Sequence, residues 1–386
     1  MFNPSSDFAL ACGNGHYIPP KGVRMMEDGL AVLPLWWAEE GDCILMSDDT
    51  VRLVDSDTIG MLWRVLGAGG TDDDMKRIWE CMHVLDSDDD RIASLSPCPW
   101  GWNLPVFNRF AGVGVNAQLM PDRERLSEYR QLSSRSFACS YIGELFCDSR
   151  FDEVGDLLVG QGMRMISLDD VNRMNGSCPD SPVIFKTPWS SSGKGVWRAD
   201  VGYPYDMRRV RNAVEQFGGL LVDDFYDDKL IDFALEFSVG DDVSFLGYSV
   251  FETSEGGKYG YNLVESQESL RSRVLSTGIS EYLLDLVELY SVESLRKRLC
   301  GHYRGVVGID MLVCRHDGKV KLHPCVEINL RNNMGVLSIC VYKRIREALT
   351  MYGNGVVPPS LLLAGDVKGI TMRLNGNKMM IDSSHC

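Results

Sequence analysis

Residues 308–312 (GIDML) and 323–335 (HPCVEINLRNNMG) flank His316-Asp317-Gly318-Lys319, and an Asp-Gly pair between two β-like runs reads as a two-residue hairpin turn. Alternate residues of a strand share a face, so Glu327, Asn329 and Arg331 point one way while Val326, Ile328 and Leu330 point the other. Pairing His316 with Lys319 sets Asp310 opposite Cys325 and one diagonal step from Glu327, on the same face. Diagonal neighbours lie about 7–8 Å apart, so both carboxylates and the Asn329 amide oxygen converge on a small ion. Pro324 is placed to bulge the ladder and shift that register. Three hard oxygen ligands beside an arginine describe a magnesium-phosphate site; the competing reading is a polar, solvated hairpin face.

A chain of 386 residues holds two or three modules. Its net charge of −15 excludes phosphate-backbone binding as the main business, so an anionic ligand has to rely on local positive groups. The 12 cysteines include no pair separated by two residues and do not cluster with the 6 histidines, which disfavours a zinc site or a redox dithiol and reads as reduced thiols in a cytoplasm. The opening MFNPSSDFALACGNG lacks the basic start of a signal peptide, and no apolar run has the length of a membrane span.

Three modules are expected. Residues 1–120 read as an N-terminal α/β module, with an apolar run at Leu30–Trp37, a short buried strand at Cys43–Met46 and a helix opening at Asp72–Asp74 and running through Met75, Ile78, Trp79 and Met82. Trp100 and Trp102 read as packing residues. In 121–220, Pro121-Asp122-Arg123-Glu124 starts a helix whose stripe Leu126, Tyr129, Leu132 continues toward Phe137 and Tyr141. A helical piece at Asp152–Gln161 precedes the β-branched run Val183–Lys186, and Asp206 caps a helix over Met207–Phe217 stopped by Gly218-Gly219. In 221–386, Leu220–Val222 is a short buried strand, Ile231–Val239 alternates with period two so that Glu236 faces away from the core, and Ser244–Phe251 is a further strand. Helices near 280–300 and over Val336–Leu349, with Gly335 giving backbone freedom before the latter, and a hairpin turn at Asn375-Gly376 complete the reading.

The Lys186 strand runs into TPWSSSGKGVW. Ser190, Ser191, Ser192, Gly193 and Gly195 offer small side chains and backbone amides that approach phosphate oxygens closely, and Lys194 adds a point charge. The spacing is not that of a Walker A loop, and a plain hairpin loop is the alternative.

Taken in order, these pieces resemble the ATP-grasp superfamily over about residues 130–350, most clearly in GIDML followed by VEINLRNNMG. The resemblance implies an α/β (α+β) fold in which two subdomains close on ATP, preceded by an N-terminal α/β domain. It implies that Asp310, Glu327 and Asn329 hold Mg2+, two ions with Mn2+ an admissible substitute. It gives Lys186 the α- and β-phosphates and Ser190 through Val196 the mobile loop over the γ-phosphate. Leu221-Val222-Asp223-Asp224 takes the place of the segment that receives adenine, with aspartates where many relatives carry glutamate, and Glu236 that of an acidic residue near the ribose or the phosphate-binding lysine. A second phosphate-contacting cation has no good match; Arg135 is the substitute.

Such enzymes commonly join a carboxylate to an amine or thiol through an acyl phosphate. Magnesium and cations offset the repulsion between two anions, with Arg331 pinning the carboxylate or acyl phosphate bidentately, alongside Lys194. The expected partners are small-molecule carboxylate and amine substrates, a peptide acceptor docking on residues 1–120 being the variant, with no nucleic acid and no membrane. The rival readings are a phosphotransferase acting on a hydroxyl and a non-catalytic nucleotide sensor.

Overall fold

The computed structural model describes residues 1–39, 42–45, 91–174, 177–190, 193–253, 259–352, 370–375 and 378–383. The helix expected at 72–82, together with Met46, Ser191, Ser192 and Gly376, lies outside them.

The described part of residues 1–120 is helical: α1 (Ser6–Cys12), α2 (Lys21–Gly29) and α3 (Leu104–Gly112), the last capped by the Asn103 side chain on Val106 N. Cys43–Leu45 forms no strand, although Ile44 and Leu45 are buried; among the described residues no strand lies beside it to take up its backbone groups. Trp100 packs edge-on to Phe2 with ring centroids 5.0 Å apart, and Trp102 lies 5.8 Å from Phe110.

The stripe read from Leu126 to Tyr141 is two helices, α4 (Arg123–Leu132) and α5 (Arg135–Phe146). Ser134 caps the second through Ser136 N, so the chain turns where a single helix was expected. Asp152–Gln161 holds only a 3-10 turn at Gly155–Leu157. Gly155 and Gly160 weaken a helix there, and Gly160 stands at φ +95°.

Two antiparallel sheets follow. β1 (Arg164–Ile166), α6 (Leu168–Arg173), β2 (Val183–Lys186), β3 (Val196–Ala199), α7 (Met207–Phe217) and β4 (Leu220–Asp224) give a sheet ordered β1-β4-β2-β3. Its helices cover Ile166, Phe185, Leu220 and Val222 with Val171, Val210 and Val214. β5 (Lys229–Val239), β6 (Val243–Thr253), β7 (Tyr259–Val264), α8 (Gln267–Leu275), α9 (Glu281–Leu299), β8 (Gly305–His316), β9 (Lys319–Asn329), α10 (Met334–Tyr352), β10 (Ile370–Asn375) and β11 (Lys378–Ser383) give a second, ordered β11-β10-β7-β6-β5-β8-β9. The fold class is α+β. Among the described residues no helix is long and apolar enough to cross a membrane.

Period-two alternation divides the large sheet. Phe233, Leu235 and Phe237 of β5 and Ile309 and Met311 of β8 meet Tyr141 and Leu145 of α5 and Leu284 and Val287 of α9 in the main core. Full burial of Phe233 and Phe237 stabilises by about 1.5–3 kcal/mol each. The opposite face carries Ala234, Glu236 and Ser249 under the start of α10. Glu236 does face away from the core, yet it is only 1% exposed.

Gly335 explains how the helix comes so close. A Cβ there would overlap the Glu236 carboxylate and the Ser249 hydroxyl, so the glycine supplies space rather than the backbone freedom expected of it. Gly335→Ala should cost about 1–3 kcal/mol, measured as a lower midpoint in urea unfolding; an unchanged midpoint would mean that α10 can lift away at no cost.

Candidate active site

The hairpin turns on Asp317 (φ +53°) and Gly318 (φ +72°), the left-handed pair that an Asp-Gly turn uses. From His316↔Lys319 to Leu312↔His323 the register is the expected one. Beyond it the register shifts, and Asp310 pairs with Glu327 directly rather than with Cys325. The physical reason lies in Pro324, which has no N–H for the ladder. Between the flanking pairs β9 carries three residues, Pro324 to Val326, where β8 carries only Met311. The excess is two residues, so side-chain parity survives and Glu327 and Asn329 stay on the Asp310 face. Directly opposed residues stand closer than diagonal ones, so the carboxylate pair is tighter than the sequence implies.

Packing charges this pair. Asp310 keeps some solvent exposure but is walled by protein. Desolvation first, then the charges of Glu327 and Glu236, push its carboxyl well above the usual range, against Arg331 and the Asn329 amide. Glu236 accepts from Asn333 Nδ2 at 2.7 Å and from Ser249 Oγ at 2.8 Å, so each of its oxygens already holds one hydrogen bond. No group of three His, Cys, Asp or Glu side chains is placed to hold an ion among the described residues, and a third oxygen has to come from Asn329. As it lies, Asn329 donates Nδ2 to Asp310 Oδ2 at 3.1 Å while its Oδ1 accepts from Arg331 Nη2 at 3.0 Å. Asp310 and Glu327 are the two carboxylates a hard cation would meet here, with Glu327 Oε1 held by Arg135; Asn329 would join them only with its amide turned over.

The cations arrive from helix α5 and from the small sheet. Arg135, at the start of α5 and 5% exposed, donates to Glu327 Oε1 at 2.8 Å, to Ser190 Oγ at 2.7 Å and to the Thr187 carbonyl. One buried guanidinium thus joins the carboxylate hairpin to the phosphate-loop candidate. Lys186, buried at the end of β2, reaches the Val326 carbonyl at 3.4 Å and lies 4.0 Å from Asp223 Oδ2. The loop closes through Thr187 N on the Gly195 carbonyl at 2.9 Å, with Gly193 and Gly195 at φ +72° and +70°. It is both a hairpin connection and a neighbour of the carboxylates. Exposed Lys194 stands over the Phe8 ring at 4.9 Å.

Arg331 is not free for a bidentate grip. Asp7 takes its Nε at 3.0 Å and its Nη2 at 2.9 Å, and Nη1 donates to the Asn332 carbonyl at 3.2 Å. Burial opposes its charge, but Asp7, with Glu327 and Asp310 behind it, outweighs that and holds its pKa above the ordinary value.

The segment 221–224 is β4 itself. β1 and β2 flank Leu221 and Val222 on both edges, so the ladder engages their backbone, and both side chains are core. Asp223, 3% exposed, faces His323, 1% exposed, with Nε2 to Oδ2 at 3.1 Å. Burial would raise the Asp223 pKa, but His323 and Lys186 outweigh it and hold it below the usual value. Asp224 is half-buried, with its carboxyl raised by desolvation and by Asp223. Glu236 gathers with Asp310 rather than with Lys186. Asp7 and His323 carry no local sequence signal for these roles.

Burial pushes Glu236 up to about 7, with its two hydrogen bonds and Arg331 opposing. A carboxyl raised in the fold binds more protons folded than unfolded, so its contribution is fullest below pH 4.5 and is lost as pH rises to 7. Glu236→Gln should flatten that slope, by on the order of 3 kcal/mol across the window. Unfolding free energies at pH 5 and pH 7.5 for both proteins measure it, and parallel curves would refute it.

No family model matches the chain, and no curated protein matches it in sequence. Solved structures match in fold only. Biotin carboxylase from Campylobacter jejuni is 12% identical at TM-score 0.44, over 91% of this chain and 72% of its own. D-alanine-D-alanine ligase from Helicobacter pylori is 14% identical at TM-score 0.35, over 71% and 69%. The biotin carboxylase domain of the Hydrogenobacter thermophilus 2-oxoglutarate carboxylase is 14% identical at TM-score 0.33, over 50% of this chain and 41% of that one. This chain therefore spans well under half the length of that last protein.

Proposed function

We propose that the chain is an ATP- and magnesium-dependent ligase of the ATP-grasp kind, joining a carboxylate to an amine or thiol through an acyl phosphate and releasing ADP and phosphate. The observation that carries this reading is the directly opposed Asp310–Glu327 pair, with Asn329 on the same face and Asp310 driven toward protonation. A fold does not press carboxylates together in a desolvated site without cost, and a divalent cation removes that cost. Bound there, magnesium supplies charge neutralisation for a triphosphate.

Asp310, Glu327 and the turned Asn329 amide would hold the ion. Arg135 on Glu327 and Lys186 on the Val326 carbonyl bring positive charge to it, Lys194 would join them from the loop, and Arg331 has one Nη1 hydrogen uncommitted for a phosphoryl or carboxylate oxygen. Ser190 through Val196 would close over the reacting end and exclude water that otherwise hydrolyses an acyl phosphate. The substrates are a small carboxylate and a small amine.

Pooled carboxylates and amines, supplied with MgATP and read by mass spectrometry, test the reading. ADP and phosphate should appear with a condensed product only when both classes are present. A stable phosphorylated single acceptor would instead mark a phosphotransferase, and tight ATP binding without turnover a sensor.

A further inference from the structure

Arg331 owes its setting to a residue 324 positions away. Asp7 on α1 receives Nε at 3.1 and 3.0 Å and Nη2 at 2.9 Å. The same guanidinium donates to Asn329 Oδ1, and Asn329 Nδ2 donates to Asp310 Oδ2. A line of polar contacts thus runs Asp7, Arg331, Asn329, Asp310, from the first helix to the carboxylate pair. The next residue along α1, Phe8, is the ring beneath Lys194.

The segment carrying Asp7 is fastened in place. Asn3 donates to the Gly101 carbonyl at 2.8 Å and accepts from Gly101 N at 3.3 Å, and Asn103 Nδ2 donates to Ser6 Oγ at 3.3 Å. Asn332 N donates to the Trp100 carbonyl at 2.8 Å. Asn3, Ser5, Ser6, Asn103 and Asn332 are all buried. Lifting this segment away would strand several buried polar groups, so it behaves as a wall and not as a lid.

We propose that Asp7 is a positioning residue for Arg331. It fixes the plane of the guanidinium and cancels enough of its charge that Arg331 does not fold onto Asp310 or Glu327 and take the cation's place. What the uncommitted Nη1 hydrogen does in turnover rests on the ligase reading; the positioning itself does not.

The test uses the full chain with Asp7→Asn, Asp7→Ala and Asp7→Glu. The Arg331 Nε–H resonance, identified by its loss in Arg331→Lys, reports the contact directly. It should be protected in the wild type, lose about tenfold or more in protection in Asp7→Asn and Asp7→Ala, and recover in Asp7→Glu. With MgATP and the pooled carboxylates and amines, turnover should fall about 10–100-fold with KM for ATP changed less than roughly threefold, and the magnesium needed for ADP binding, followed by calorimetry, should rise. An Nε–H unchanged in Asp7→Asn overturns the proposal, and so does faster turnover, which would make α1 an inhibitory plug. A wild type that neither binds MgADP nor turns over ATP sinks the ligase reading, while the Nε–H result still decides the positioning. Should Asp7→Ala fail to fold, the isosteric Asp7→Asn carries the test.

Discussion

Under the ligase reading, Asp310→Asn should lower magnesium-dependent turnover by about 10²–10³-fold and leave the chain as stable as before, or more so. The two outcomes share one cause. Desolvation and the neighbouring Glu327 and Glu236 disfavour the Asp310 charge in the fold, so removing that charge relieves repulsion while deleting an oxygen that the cation needs. Glu327→Gln should lose turnover to a similar degree but behave differently on unfolding. Its partner Arg135 has a side chain only 4% exposed, and the Arg135–Glu327 contact is 2.8 Å. Breaking it leaves a buried guanidinium with the Thr187 carbonyl and Ser190 alone. The cost should be about 2–4 kcal/mol, below that of a fully buried pair, because the Glu327 side chain keeps 26% exposure. ADP release at saturating ATP and urea unfolding of both variants measure the contrast. Unchanged kinetics in both would count against a metal role, and equal destabilisation would mean that the Asp310 charge carries no penalty.

The contrast also marks what local sequence can and cannot convey. The Asp-Gly turn announced itself because its two residues must adopt a left-handed backbone, and the alternation around Ile231–Val239 survived as β5 because one face of that strand is core. Register beyond Pro324 was harder. A proline identifies the point where a ladder fails, yet the number of extra residues it admits depends on what packs behind it. Faces came out right only because that number is even. The turn at Ser133-Ser134 was masked by an apolar stripe that continues through two helices, and the glycines near 155–162 outweighed the helical reading of Asp152–Gln161. Contacts between distant residues had no local signature at all: Arg135 with Glu327 is separated by 192 positions and His323 with Asp223 by 100. Lys186 was legible for a different reason, since a lysine ending an apolar strand requires a buried anion or carbonyl to meet it, although which one the strand itself could not say.

That meeting point yields the second large effect. Asp223 and His323 are almost fully buried where β4 of the small sheet meets β9 of the large one, and Lys186 completes the cluster 4.0 Å from Asp223. Asp223→Ala should cost about 3–5 kcal/mol, because it strands a buried ammonium whose remaining partner is the Val326 carbonyl at 3.4 Å. Lys186→Met should cost less, since Asp223 retains His323 at 3.1 Å and Asp224 N at 2.9 Å. The double variant should recover part of the loss, with a coupling energy of about 1–3 kcal/mol in a double-mutant cycle. Acid adds an independent check. The Asp223 carboxyl is depressed in the fold, so the stability it contributes is present above its unfolded value of 3.8 and is lost as pH falls below that; Asp223→Ala should lack this component of acid unfolding. Chemistry separates the two residues, because under the ligase reading Lys186→Met weakens MgADP binding even where stability is restored in the double variant. Strictly additive losses would show that Lys186 and Asp223 are neighbours without being partners.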